Sequence, residues 1–281
     1  MHLGAIGSDF KGWNILGEKA ILVTIDGHAN YKKFSQNYKK VINKECIIST
    51  KNGYSNFYVT KDPDCSSLLE PNAAEHKRWY GSHRFKVDKK VKVKVSSINK
   101  FLKENKIYHI DWLVIDIQGL DLKIIKSLDP KIRNKISIVE LEPGFSPIYN
   151  SSDKIGEVFN YMTKNFEFAD MKFGYNYKIQ NEQLSLINKK ILFRLTKPSK
   201  FYSNIIFTNK NFKNERINLM KLIYLVINNN IFEARNFLNN SLKNNEFTKL
   251  ILKKLNQRIL ILKIIYIFSI PYFLIKKIFT F

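Results

Sequence analysis

A chain of 281 residues, 44% hydrophobic and 14% aromatic, carries enough apolar side chain to bury a large core, which excludes an intrinsically disordered protein. Its two cysteines, Cys46 and Cys65, exclude a disulfide framework or a cysteine-rich zinc site and fit a reducing, cytoplasmic setting. The 47 basic against 24 acidic residues give a formal charge of +23, but the lysines are spread among Asn and Ile along the whole chain, so a nucleic-acid partner is not expected.

The chain opens without a charged leader ahead of an apolar stretch, so no secretory signal is expected. Residues 1–7, MHLGAIG, read as the end of a strand running into a glycine turn, and residues 21–25 as a second apolar strand closed by Asp26. Glycine lets a backbone approach a ligand closely, and a carboxylate about 20 residues on can accept hydrogen bonds from ribose hydroxyls. A short Gly-x-x-Gly also occurs in many ordinary turns. Residues 45–60 read as two short strands joined by a hairpin turn at Lys51-Asn52-Gly53. The octet CSSLLEPN, residues 65–72, follows, and then a polar loop with His76, Arg78, Trp79, His83 and Arg84. The serine pair reads either as a helix cap or as part of a lid over a site. The histidines are scattered, the nearest pair being His76 and His83 at no metal-binding spacing, so no metal is expected.

Residues 87–98 form a strand on which Lys90, Lys92 and Lys94 share a solvated face opposite the valines between them. Residues 110–128, IDWLVIDIQGLDLKIIKSL, then read as buried strand, tight turn at Gly119 and helix, with Leu120, Ile124, Ile125 and Leu128 on one apolar stripe. Asp129-Pro130 stops that helix. In an open α/β sheet the carboxyl ends of the strands face the ligand, which places Asp116 and Gln118 at a site, although a strand-end carboxylate can equally cap the next helix. Residues 136–142, ISIVELE, form a further strand that delivers Glu140 and Glu142 to the same edge. A helix over about 154–164 and strands around FEFADM and SNIIFTN complete the pattern. From about Asn214 the chain becomes helical, ending in a basic segment around the apolar run 264–275. Twelve apolar residues are too few to span a bilayer. Such a helix suits either the inner face of a membrane or packing against protein.

Several of these segments, in this order, resemble the FkbM-type methyltransferases. VIDIQGLDLKIIKSL is similar to that family's K-I-D-V-Q/E-G-x-E-x-x-V-L-K-G segment, HLGAIGSDFKGWNIL to its D-x-G-A-x-G-G…W opening with His2 in place of an acid, CSSLLEPN to its serine-pair motif, and ELEPGFSPIY to E-V-E-F-x-P-x-Y. The resemblance implies an α/β fold, a Rossmann-like class I methyltransferase sheet flanked by helices over residues 1–209, with a helical, basic and apolar extension over 210–281. It implies S-adenosyl-L-methionine as cofactor, held by Gly4, Ala5 and Gly7 at its methionine part, by Asp26 and Gly27 at the ribose, and by Asp116. Asp116, with Glu140 and Glu142, is the expected catalytic set. Ser66, Ser67, His76, His83 and Gln118 are expected on the acceptor side, and the acceptor is expected to be a sugar, glycan or natural-product hydroxyl, in a bacterium a surface glycan. Outside the resemblance, the extension over 249–281 is expected either to touch the membrane or to pack against protein. Two other classes share parts of the pattern. An NAD-dependent oxidoreductase requires a G-x-G-x-x-G that residues 4–9 do not supply, and a non-catalytic or nucleic-acid-binding protein would use the net charge instead.

Overall fold

The computed structural model of the chain describes residues 1–4, 17, 19–27, 38–178, 191, 197–211, 213–241, 249 and 252–260. They fall into two compact units, Met1–Asn211 and Phe212–Phe281. Ala5, Gly7 and the apolar run 264–275 lie outside the described residues.

The described strands are, in chain order, β1 (His2–Leu3), β2 (Ile21–Asp26), β3 (Lys40–Glu45), β4 (Ile47–Ser49), β5 (Gly53–Thr60), β6 (Val87–Ser97), β7 (Trp112–Ile115), β8 (Ile138–Leu141), β9 (Phe166–Asn176) and β10 (Ser199–Asn209). Seven of them form one sheet in the order β3-β2-β1-β7-β8-β10-β9. The first five in that order run parallel, and β10 enters antiparallel between β8 and β9. This is the Rossmann-like α/β fold expected from the sequence, with the last strand reversed. The central strands are apolar runs because both their faces are covered: Leu113, Ile115, Val139 and Leu141 have no exposed surface. The edge strand β9 instead carries Glu167, Asp170 and Lys172, charges that discourage pairing with another chain.

Helices α2 (Ile98–Glu104), α3 (Asp121–Ser127) and α5 (Ile155–Met162) supply the rest of this core. On α3, Leu122, Ile124 and Ile125 are fully buried, each contributing about 1.5–3 kcal/mol by leaving water. Asp129 and Pro130 do more than end α3, because the Asp129 carboxylate accepts from Lys131 N at 2.7 Å and opens a second short helix, α4 (Pro130–Arg133).

The hairpin expected over 45–60 does not form. β4 and β5 lie on opposite sides of β6, in a separate sheet of order β4-β6-β5. β4 runs parallel and β5 antiparallel to β6, and both meet it at Val95. The Asn52 side chain, which would sit in the hairpin turn, accepts from Ser97 N instead, at 2.8 Å. The turn therefore crosses over the end of β6 and does not fold back on itself. Residues 40–45, which carry no clear strand signal, form the edge strand β3 of the main sheet.

In the second unit, α6 (Glu215–Ile227) is capped by Asn214, whose side chain accepts from Arg216 N and Ile217 N, and α7 (Ile231–Ser241) follows. Ile217, Leu222, Tyr224, Leu225, Ala234 and Leu238 are buried. Among the described residues no helix is long and apolar enough to cross a membrane.

One close approach fixes where the central strands end. Gly4 turns away from β1 with φ +74°, and its N–H reaches Ile25 O at 2.9 Å while Asp116 N reaches Leu3 O at 3.0 Å. A Cβ on Gly4 would stand 1.7 Å from the Asp116 carbonyl oxygen. Gly4→Ala is therefore expected to destabilise the fold by about 3 kcal/mol or more in urea unfolding. Gly156→Ala, in α5 with nothing within 4 Å of the new methyl, is expected to stabilise it by about 0.5–1 kcal/mol.

Candidate active site

Because β2, β1 and β7 are parallel neighbours, Asp26, Gly4 and Asp116 emerge side by side at their carboxyl edge. They line a cavity of about 310 Å³. Ile47 and Ile48 of the small sheet and Phe57 of β5 form a second wall, and Asp64, Ser66, Ser67 and Leu68 a third. Asp26, Asp64 and Asp116 are the ionisable carboxylates on this lining, and no lysine, arginine or histidine is among the described residues that line it.

The serine pair holds the third wall in place. Ser66 Oγ accepts from Thr60 N at 3.1 Å. Ser67 Oγ donates to Gln118 O at 2.9 Å and accepts from Leu69 N at 3.0 Å, while the Ser67 backbone exchanges two hydrogen bonds with Tyr58. Both hydroxyls are thus engaged with the chain itself, tying the 63–69 segment to β5 on one side and to the turn after β7 on the other.

That turn is tightly determined. Gln118 adopts φ +58°, a left-handed conformation uncommon for a residue with a side chain. Its Nε2 donates to Asp116 Oδ1 at 2.8 Å. Asp121, fully buried at the start of α3, accepts from Ile117 N at 3.3 Å and from Glu142 N at 2.8 Å. The helix start has no local side-chain cap, and Asp153 substitutes from a distant segment by accepting from Leu122 N and Lys123 N.

The carboxyl groups crowd one another. Burial raises Asp116 above the ordinary carboxylate range, against the lowering effect of hydrogen bonds from Glu142 and Gln118. Burial, then the neighbouring Asp116, pushes Glu142 up to about 11 and Asp121 up to about 8. Two carboxyl groups in hydrogen-bond contact share one proton, and because the bond between them lowers Asp116 and raises Glu142, Glu142 is the protonated partner that donates to Asp116. Glu140, within β8, is also raised by burial and sits close enough to Lys172 and Asp116 to feel both charges. Neither Glu140 nor Glu142 is on the cavity lining. His2, at the first position of the glycine motif, is pushed down to about 3 by burial and then by the adjacent amino terminus, so it is neutral.

His76 and His83 are not brought to the cavity. The segment expected to be an open polar loop is folded: Asn72 caps α1 (Ala73–His76), and Glu75 accepts from Trp79 Nε1 and Arg78 Nη1. His76 is buried, stacked on Phe85 with ring centroids 4.0 Å apart, beside the cluster of Trp79, Ile148, Tyr149 and Phe201. His83 is exposed on the short 3-10 turn that follows. Asp64, Asp121, Tyr149 and Asp153 were not singled out in the sequence. Asp121, an acid in the first turn of a helix that follows a strand-end acid, carried a local signal. Asp153 and Tyr149 carried none, because their partners lie about 30 residues or more away.

A parallel sheet with a reversed last strand, and a cavity at its carboxyl edge between a glycine turn and strand-end acids, defines a Rossmann-like protein with its cavity at the edge where open α/β sheets carry their ligand sites. The family model for the Methyltransferase FkbM domain matches residues 8–177, and the chain belongs to the FkbM methyltransferase family. The match is narrower than the span 1–209 suggested by the sequence, starting after Gly4 and ending before β10. No curated protein and no solved structure matches the chain.

The crowded acids tie stability to pH. A carboxyl held protonated by folding binds its proton more tightly folded than unfolded, so its contribution is complete at low pH and is lost as pH rises toward the folded value. For Asp121 that window runs from the usual carboxylate value to about 8, with a slope of up to about 1.4 kcal/mol per pH unit. Urea unfolding is expected to show lower stability at pH 8 than at pH 6, and Glu142→Gln is expected to flatten the slope.

Proposed function

We propose that the chain is an S-adenosyl-L-methionine-dependent O-methyltransferase acting on a hydroxyl of a sugar, glycan or natural product. The observation that carries this reading is electrostatic. In a chain of formal charge +23, the cavity lining collects Asp26, Asp64 and Asp116 and, among the described residues, no basic side chain. A ligand bearing a sulfonium and an ammonium group fits such a lining, whereas the phosphates of a dinucleotide or of nucleic acid would be repelled. With His2 neutral, the negative charge that faces the ligand comes from these aspartates.

The residues present fit the cofactor. Asp26, buried at the end of β2, would accept the ribose hydroxyls, and Gly27 and Gly4 stand beside it on the cavity lining. Bound there, the cofactor would supply an electrophilic methyl group. The chain must align the acceptor oxygen, keep water out and remove the hydroxyl proton. Asp116 is the base in this reading: it stands on the lining, burial makes it more basic than an ordinary carboxylate, and Glu142 retains the shared proton. Gln118, Ser66 and Ser67 shape the lining around it. Residues 1–209 are the methyltransferase part in this reading. Residues 210–281 are an extension whose basic, apolar 249–281 segment rests on the inner face of a membrane, where a lipid-linked glycan would be presented.

Calorimetric titration with S-adenosylhomocysteine is expected to give micromolar binding to the wild type, weakened at least about tenfold by Asp26→Ala, the loss of about 1.4 kcal/mol or more. Absence of binding to the wild type would sink the cofactor assignment. For the extension, the full chain is expected to co-sediment with anionic vesicles and a chain ending at residue 248 to remain in the supernatant. Equal partitioning of the two would remove the membrane role.

A further inference from the structure

The Asp116 carboxylate is oriented from outside the cavity. Gln118 Nε2 donates to Asp116 Oδ1 at 2.8 Å, and the other end of the same amide, Oε1, receives the Tyr149 hydroxyl at 2.9 Å. Tyr149 is buried, and its single hydroxyl proton is shared between Gln118 Oε1 and the Cys65 carbonyl oxygen, which lies 2.8 Å away. Burial holds the phenol well above its ordinary value, so it stays a donor. It is not among the residues that line the cavity.

An amide has two ends of similar size, and nothing in its shape decides which faces the carboxylate. In the reverse orientation Oε1 would stand against Oδ1, two acceptors in contact, which an ionised carboxylate does not tolerate. A donor at Oε1 reinforces the orientation that an ionised Asp116 prefers. We infer that Tyr149 is a positioning residue that acts through Gln118, holding the amide so that its N–H faces Asp116 and keeps that carboxylate ionised and aimed into the cavity. The use of this arrangement in catalysis rests on the reading of Asp116 as the base.

The backbone supports the assignment. The left-handed φ of Gln118 turns its carbonyl to the Ser67 hydroxyl, so the side chain and main chain of this one residue are held from two segments, 65–69 and 149. The groups that bear on Asp116 are Asp26 at the end of β2, Asp64 and Cys65 in the 63–65 turn, Asp121 on α3, Glu140 and Glu142 around the end of β8, and Tyr149 and Tyr202. Every nearby acid disfavours ionisation of Asp116, while Glu142 also donates a hydrogen bond that favours it. The Gln118 amide, like protonated Glu142, is a neutral donor, and it acts on Asp116 without adding a charge.

The test is carbon-13 NMR of the full chain labelled at aspartate carboxyl carbons, with the Asp116 signal assigned through Asp116→Asn. Tyr149→Phe keeps the ring and removes the donor; Gln118→Met keeps the length and removes the amide. Each is expected to move the Asp116 titration upward by about one pH unit, a tenfold loss of ionised carboxylate at a fixed pH below it. The double variant is expected to move it no further. A Tyr149→Phe protein that unfolds at lower temperature while Asp116 titrates as in the wild type would reduce Tyr149 to a packing residue and overturn the inference. So would additive shifts in the double variant. Titration with S-adenosylhomocysteine is run alongside. A shift of Asp116 in a protein that does not bind it supports the hold on the carboxylate and removes only the methyl-transfer reading.

Discussion

The contact between Gly4 and the Asp116 carbonyl is the constraint on which the site depends. β1 and β7 are adjacent and parallel, and their exits meet so closely that any side chain at Gly4 would collide with the backbone of its neighbour. That closeness puts the ends of three strands within one small cavity and brings Asp26 and Asp116 to the same ligand. A looser crossing would leave the same residues on the surface of the sheet without a shared pocket.

The second feature is charge inversion. Lysines dominate the chain, and Lys90, Lys92 and Lys94 are exposed on β6, yet the acids gather where the strands end. Burying several carboxyl groups together is unfavourable unless protons or donors offset the repulsion. Here a proton shared by Asp116 and Glu142, backbone N–H groups given to Asp121 and Asp153, and the Gln118 amide do so. Among the described residues, the result is a cavity lining with acidic and no basic side chains in a positively charged chain.

Much of this was legible in the sequence. The buried strand at 112–117, the helix stripe after Gly119, the acids at the ends of β2, β7 and β8 and the helical change near Asn214 all rest on local pattern, and the order of the segments carried the family. What was not legible is what depends on partners far along the chain. The strands at 45–60 look like a hairpin because the turn signal between them is good, but β6 offers each a better edge. His76 looks like a polar loop residue until Phe85 stacks on it. Tyr149 sits in a Pro-rich stretch without a motif of its own, and its role follows only from Gln118 and Cys65, 31 and 84 positions away.

The pairing of β4 and β5 on either side of β6 also orders events in time. During synthesis the first two strands of the small sheet emerge well before residues 87–97, and each lacks its ladder until those residues arrive. β1 waits longer still, since His2 is in register with Val114. Contacts this distant must close long loops before they are rewarded, which slows folding. The cavity therefore cannot take shape before residues 112–120 arrive. A chain stalled before β7 would expose the edge of β1 that β7 covers and the inner residues Ile47, Ile48 and Phe57, the surface on which a chaperone or a second nascent chain would act first.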